Sequence, residues 1–404
     1  MKLHVLPQVV PDPDTFRSAP PPAPAVWHMP PAPLARLLSL GDLDSMIGWG
    51  VLRSRWISVV RAGRSVPESE YTWPRRQIND GMESVVRAAA ITTLLQQGST
   101  VILQSLQRTW RPVATMCRGL SREVGVPVEA NAYLTPAHHQ GFAHHHDPHS
   151  VLIVQTVGTK TWQIHEPVFP DPLEHQNWRP DALGSGDWDR LRHGKPTLET
   201  VLHPGDVLWI PRGWIHNAYA TTEPSLHITF AFQTLTPYWL AKEVVKELDE
   251  VVELRRELPW GAVRDPDRLR ETCAEVMEQL GRAMAGLDPD RLADRLVEAM
   301  RPRFLEPDRA PVTSALADDL TPGSRVAMVA EALHRRRCLP DGGARLEMAD
   351  ASLTLGPPAA RALAEVLESG GDSWCALDLG PELDEAEALE IVTQLIRAGL
   401  ARRV

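Results

Sequence analysis

The chain has 404 residues, 43% of them hydrophobic, and a formal net charge of −10. That is enough for two or three domains with cores of their own. No apolar run approaches the roughly 18 residues of a membrane span, and the acidic balance speaks against a general nucleic-acid-binding surface. The N-terminus, MKLHVLPQVVPDPD, lacks the basic-then-apolar pattern of a secretory leader, so the expected compartment is the cytoplasm. Cys117, Cys273, Cys338 and Cys375 lie far apart with no CxxC pair, which argues against both a cysteine-rich zinc module and a disulfide framework.

The first 35 residues hold ten prolines, including the run Pro20–Pro24. Proline fixes φ and removes a backbone donor, so residues 1–33 are expected to form an extended arm or a disordered tail. Globular patterning starts near Leu34: Ser84–Gln97 and Arg111–Val124 read as helices around a β-branched run, Thr100–Leu106. From Val128 to Phe232 the texture changes to short strands, expected over Val128–Leu134, Ser150–Thr156, Lys160–His165, Asp206–Ile210 and Ser225–Phe232. Many short strands between turns predict a sandwich or jelly roll, with residues 34–236 as one domain. No GxGxxG or GxxxxGK[ST] supports a nucleotide fold. Residues 237–303 read as helices: Trp239–Leu258, Asp267–Leu287 and Pro289–Met300. An apolar stripe along the first of these fits an oligomer interface or simple domain packing. Residues 304–404 alternate helices with short strands and end in an amphipathic helix, Glu385–Ala398.

The chemistry is concentrated between Asn131 and His165. His145 and Asp147 form an HxD, and on extended backbone residues two apart face the same way. An imidazole nitrogen and a carboxylate oxygen can then meet one metal ion, with His216 of PGDVLWIPRGWIH placed to be the third ligand. Two histidines and one carboxylate on one face leave the other face open, the arrangement expected for non-haem Fe(II) that also takes O2 and a co-substrate. His144, His146 and His149 compete for the same role, and the cluster could equally be a zinc or nickel site; His145 is preferred because it completes the HxD. Lys160 begins the next strand and shares a face with Trp162 and Ile164. A lysine on an inward apolar face needs an anion, and the far end of a dicarboxylate would supply one.

With these residues in place the sequence resembles the JmjC-type, cupin-like 2-oxoglutarate oxygenases, nearest to those that hydroxylate arginyl or histidyl residues of ribosomal proteins. The resemblance is carried by Asn131-Ala132-Tyr133, GFAHHHDPHSVLIVQTVGTKTW, LHPGDVLWIPRGWIH and SLHITF. It implies a double-stranded β-helix catalytic domain in a mixed α+β chain, then a helical dimerisation region and a winged-helix-like C-terminal domain. It also implies His145, Asp147 and His216 as Fe(II) ligands and Lys160 on the distal carboxylate of 2-oxoglutarate, with Asn131 and Tyr133 lining that pocket. The expected partners are a protein or peptide substrate and a second copy of the chain, with no membrane. Departures are the three consecutive histidines, the proline-rich opening and the Trp-bearing insert Pro167–Thr200; these bear on substrate more than on cofactor.

Four rival readings stand beside this one. The same chemistry could act on a natural-product precursor peptide or small molecule; it could demethylate N-methyl-lysine; or the triad could belong to a non-catalytic metal-binding cupin, which has no need of Lys160. A nucleic-acid regulator is the fourth, but residues 305–404 carry 10 Lys+Arg against 17 Asp+Glu. The only basic cluster there, Arg335-Arg336-Arg337, reads as a solvated helix end.

Overall fold

Strands form where β-branched and aromatic residues alternate between turn residues. The computed structural model describes residues 4–49, 52–73, 84–178, 180, 183–300, 319–329, 335–347, 352–368 and 373–404. In chain order its first strands are Ala25–His28 (β1), Ile57–Arg61 (β2), Arg64–Ser65 (β3), Thr100–Leu103 (β4), Val128–Thr135 (β5) and Ser150–Val157 (β6). Lys160–His165 (β7), Leu198–Leu202 (β8), Asp206–Ile210 (β9), Ile215–Ala220 (β10) and Ser225–Phe232 (β11) follow. An antiparallel sheet runs β1-β9-β6-β11-β5-β4-β2-β3, and a smaller one runs β10-β7-β8. This is the expected jelly-roll architecture, and the five strands read from the sequence between Val128 and Phe232 are all present.

The two faces of the large sheet serve different purposes. On β11, Leu226, Ile228, Phe230 and Phe232 join Ala130, Ala132 and Leu134 of β5 in the main core, covered by the helix Arg111–Val124. The alternate residues His227 and Thr229 turn the other way, onto a cavity. Between the sheets, Val151, Ile153, Trp162, Ile164, Leu208 and Ile210 form a second core that closes the barrel beside it. The β6–β7 turn needs glycine: Gly158 has φ +64°, and a Cβ there would sit 1.9 Å from the Pro224 carbonyl oxygen.

Residues 4–33 overturn the expectation of a loose arm. Val5, Leu6, Val9 and Val10 are buried in the main core, and Glu123 Oε1 accepts hydrogen bonds from the backbone N–H groups of Val5 and Leu6 at 2.7 and 3.0 Å. Asp12 caps the short helix Pro13–Ser18, which starts on a proline where the missing N–H costs nothing. That helix drives Phe16 among Trp27, Trp209 and Phe232, edge-on at 6.0, 5.0 and 6.3 Å. β1 then pairs antiparallel with β9. The prolines delimit packed pieces here. Phe16→Ala is therefore expected to cost about 3–5 kcal/mol of stability, read as a fall in the urea midpoint of the whole domain; an unchanged midpoint would mean that the segment hangs free.

Residues 235–303 form a separate compact unit. Its helices are Pro237–Lys246, Pro266–Ala285 and Pro289–Met300, the second capped by Asp265, whose carboxylate accepts from the N–H groups of Asp267 and Arg268. The first is shorter than the expected Trp239–Leu258: after Lys246 the chain tightens into 3-10 turns and Val251 is extended. β-Branched Val251 and Val252 hold a helix poorly once its capping and packing run out.

Residues 319–404 have their own core, with Leu346, Leu363, Trp374, Ile391 and Leu395 among its members. Val326–Met328 (β12) pairs with Ala401–Arg403 (β16), and Arg335–Cys338 (β13), Ala344–Glu347 (β14) and Ser352–Leu355 (β15) make a three-stranded sheet. Helices span Pro357–Glu368 and Glu385–Arg397. Arg335-Arg336-Arg337 lie on β13, with Arg337 opposite Arg345, and not at a helix end as expected. The expected start of this domain, at 304, falls outside the described residues.

Candidate metal centre and its cavity

The three proposed ligands arrive from two directions. His145 and Asp147 lie on the extended lead-in to β6, and His216 lies on β10, a strand that the PRGW turn hid in the sequence reading. Backbone hydrogen bonds join the two segments: His145 N–H to the His216 carbonyl at 3.1 Å, and His216 N–H to the His145 carbonyl at 2.8 Å. Gly213 N–H adds a third, to the Asp147 carbonyl at 3.0 Å. The ligand atoms of His145, Asp147 and His216 consequently all lie within 4.8 Å of one another, with His216 Nε2 3.7 Å from Asp147 Oδ2. Among the described residues no other His, Cys, Asp or Glu group meets that geometry.

The protonation states suit a divalent cation. His145 Nδ1 donates to the Ala143 carbonyl at 2.9 Å and His216 Nδ1 to the Trp214 carbonyl at 3.0 Å. A carbonyl can only accept, so both imidazoles keep their proton on Nδ1 and turn the Nε2 lone pair to the centre. Burial, helped by His145 and opposed by Asp147, holds His216 down at about 4, so it is neutral at ordinary pH. Burial alone would raise the Asp147 carboxyl, but His145 and His216 beside it bring it below its usual value. A half-buried carboxylate facing two imidazole nitrogens lacks a cation, and the donor set fits Fe(II).

A cavity of about 420 Å³ opens from this centre. Its far end is built by residues of strands with period two: Tyr133 from β5, Lys160 and Trp162 from β7, His227 and Thr229 from β11. Lys160 is 4% exposed, and burial pulls its pKa from 10.5 to about 7. Its Nζ donates to Thr135 Oγ1 at 3.1 Å. Tyr133 is held protonated by burial first and by Asp147 second, against a hydrogen bond from the Asn131 side chain. Asn131 itself is not among the cavity-lining residues; its Oδ1 accepts from the Ser105 N–H at 2.9 Å. It reaches the pocket only through Tyr133.

Two of the rival histidines have other neighbours, although His146 also lines the cavity. His144 packs edge-on to His165 at 5.5 Å, and His146 packs against Trp178 at 5.3 Å. The insert contributes Asn177 and Trp178 to the cavity wall, with Trp188 6.2 Å behind Trp178, whereas Trp214 packs on the inter-sheet core. Phe142, Asn177 and His227 were missed. For His227 a signal existed: the alternation in SLHITF sets it opposite Leu226 and Ile228. For Asn177, on an irregular insert, there was none.

Residues 103–239 match the JmjC domain family. Over this stretch the chain carries a JmjC domain, and its sequence is similar to that of ribosomal oxygenase 1. It is 33% identical to human ribosomal oxygenase 1 over 236 residues, 55% of this chain and 34% of that protein. It is 34% identical over 181 residues to the Drosophila simulans bifunctional lysine-specific demethylase and histidyl-hydroxylase NO66, 42% of this chain and 20% of that protein. The chain thus spans about a fifth to a third of these relatives. The X-ray structure of Escherichia coli ycfD superposes with a TM-score of 0.52 at 15% identity, covering 98% of this chain and 99% of that one, which shows a shared fold.

Proposed function

We propose that the protein is an Fe(II)- and 2-oxoglutarate-dependent oxygenase that hydroxylates a side chain of a protein substrate. One observation carries this reading: a single cavity holds both a two-histidine, one-carboxylate cluster and a buried lysine without a carboxylate partner among the described residues. Fe(II) bound there would supply oxygen activation coupled to decarboxylation of 2-oxoglutarate to succinate. The chain's own part is positional. His145, Asp147 and His216 hold the metal on one side, and their backbone tethers fix each ring's direction. Lys160, steadied by Thr135, and Tyr133 receive the distal carboxylate, and Trp162 with Val151 and Ile153 keeps water from the centre. Phe142 and Trp178 flank the opposite side of the cavity, where a substrate side chain enters.

The names of the curated relatives support a protein as substrate. The unit 235–303 exposes Tyr238, Val245, Val252 and Met277, which supports homodimerisation through it, and the strands and helices of 319–404 suit a winged-helix-like module. No helix among the described residues is long and apolar enough to cross a membrane; a cytoplasmic site of action, without nucleic acid, is part of the proposal.

The test is succinate formation from 2-oxoglutarate by anaerobically iron-loaded protein exposed to O2 with cell-extract peptides, beside His145→Ala. Succinate from the wild type alone is expected, with a gain of about 16 Da on one peptide. A wild type that neither forms succinate nor binds 2-oxoglutarate would be a metal-binding cupin scaffold.

A further inference from the structure

His227 is 2% exposed, lines the cavity, and has no assigned part in metal or co-substrate binding. It stands at the centre of the large sheet, opposite Tyr133 of β5 and Gln155 of β6. Its ring is stacked on Tyr133 at 4.8 Å with 1° between planes, and meets Trp162 edge-on at 5.4 Å. Nδ1 is sealed from the cavity and has no hydrogen-bond partner.

Those contacts settle the tautomer. A neutral imidazole has one N–H and one lone pair, and an unpaired N–H buried in an aromatic sandwich costs more than an unpaired acceptor. The proton therefore sits on Nε2. Burial keeps the ring neutral, and the Lys160 ammonium reinforces this. Thr135, fully buried behind the cavity wall, ties the ammonium in place: its Oγ1 accepts from both Thr100 and Lys160. The end of the cavity away from the metal thus offers donors from Lys160, Tyr133 and His227, of which only Lys160 is charged.

We propose that His227 donates Nε2–H to the far carboxylate of the co-substrate and so selects a dicarboxylic 2-oxoacid over a monocarboxylic one. This rests on the oxygenase reading above. A buried carboxylate offers about four lone-pair sites; the ammonium, one of whose N–H bonds goes to Thr135, and the Tyr133 hydroxyl leave some of them empty, and His227 is a further neutral donor that adds a bond without adding a second charge.

The experiment is calorimetric titration of anaerobic Mn(II)-loaded protein with 2-oxoglutarate and, separately, with 2-oxopentanoate, which keeps the chelating end and chain length but lacks the far carboxylate. His227→Phe preserves the stacking area and removes the donor. It is expected to weaken 2-oxoglutarate about tenfold and to leave 2-oxopentanoate unchanged. His227→Gln, whose amide N–H reaches about as far as Nε2, is expected to recover most of the loss. Equal weakening of both ligands would make His227 a packing residue, and unchanged 2-oxoglutarate binding would remove it from the site; either overturns the proposal. Lys160→Met serves as the separate arm. If the wild type does not prefer 2-oxoglutarate over 2-oxopentanoate and Lys160→Met alters neither, the co-substrate reading itself fails, and this assignment with it.

Discussion

Lys160→Met is expected to leave the metal-free protein more stable than the wild type at pH 6, and to weaken 2-oxoglutarate binding by about 10²–10³-fold. The lysine is buried with Thr135 as its hydrogen-bond partner and Trp162 beneath it, Nζ 5.8 Å from the ring centroid. Below pH 7 the amine is charged in the folded and unfolded chains alike, so the full cost of burying the charge is present. The interval from 10.5 down to about 7 sets that cost at no more than about 5 kcal/mol. Between pH 7 and 10.5 the unfolded chain binds a proton that the folded chain does not, so wild-type stability climbs with pH; above 10.5 the cost is gone. Methionine lacks this climb. Allowing for the Thr135 hydroxyl that loses its donor, a gain of about 2–4 kcal/mol is expected at pH 6, narrowing by pH 9. Urea unfolding at the two pH values reads it, and a methionine variant less stable at pH 6, or one whose profile runs parallel to the wild type, would show that the lysine is not burying charge. The binding loss follows from the opposite balance: a bound carboxylate without its ammonium forfeits about 3–4 kcal/mol.

Asp147→Ala carries the second large effect. Asp147 is the only carboxylate in the cluster, and it lies against His216 with both histidine lone pairs already aimed at the centre. Its removal leaves only the two imidazoles, and affinity for Mn(II) or Fe(II) is expected to fall by more than about 100-fold, since even outer partners of a ligand are worth 10–100-fold. Turnover falls with it. The unfolding midpoint of the metal-free protein changes little, because no positive charge is stranded. Equilibrium dialysis with Mn(II) distinguishes this from a diffuse histidine site when Asp147→Ala is compared with His144→Ala. Equal loss in the two variants would place the metal among the tandem histidines instead.

The barrel was legible because its physics is local. The strands from Val128 to Phe232 announce themselves by alternation, and the period-two placement of Lys160, Trp162 and Ile164 holds in β7. The cluster was legible because HxD and PRGW.H are short and ordered. What escaped depends on contacts distant in sequence. β10 follows a Pro-Arg-Gly turn and has no alternation, because its residues are nearly all buried, so His216 could be named as a ligand without being seen on a strand. β1 is four residues between prolines, and only its partner β9 makes it a strand. Asn131 shares a face with Tyr133, yet the loop carrying Ser105 claims its carbonyl oxygen, a contact that spacing within one strand cannot reveal. Composition misled most at the start, where proline counts described the connections and concealed Phe16.

The pairing of β1 with β9 has a further consequence. Every residue of β9 is buried, and without its neighbour the strand would offer a row of open N–H and C=O groups on an apolar ribbon, the surface at which sheets of separate molecules fuse. β1 takes that position and is itself a poor template: it is short, ends in the exposed His28, and has Pro24 before it and Pro30 and Pro31 after it. Proline offers no donor for a further strand. A fragment trimmed to begin near residue 34 would lose this closure, and its liability would be self-association before any loss of chemistry.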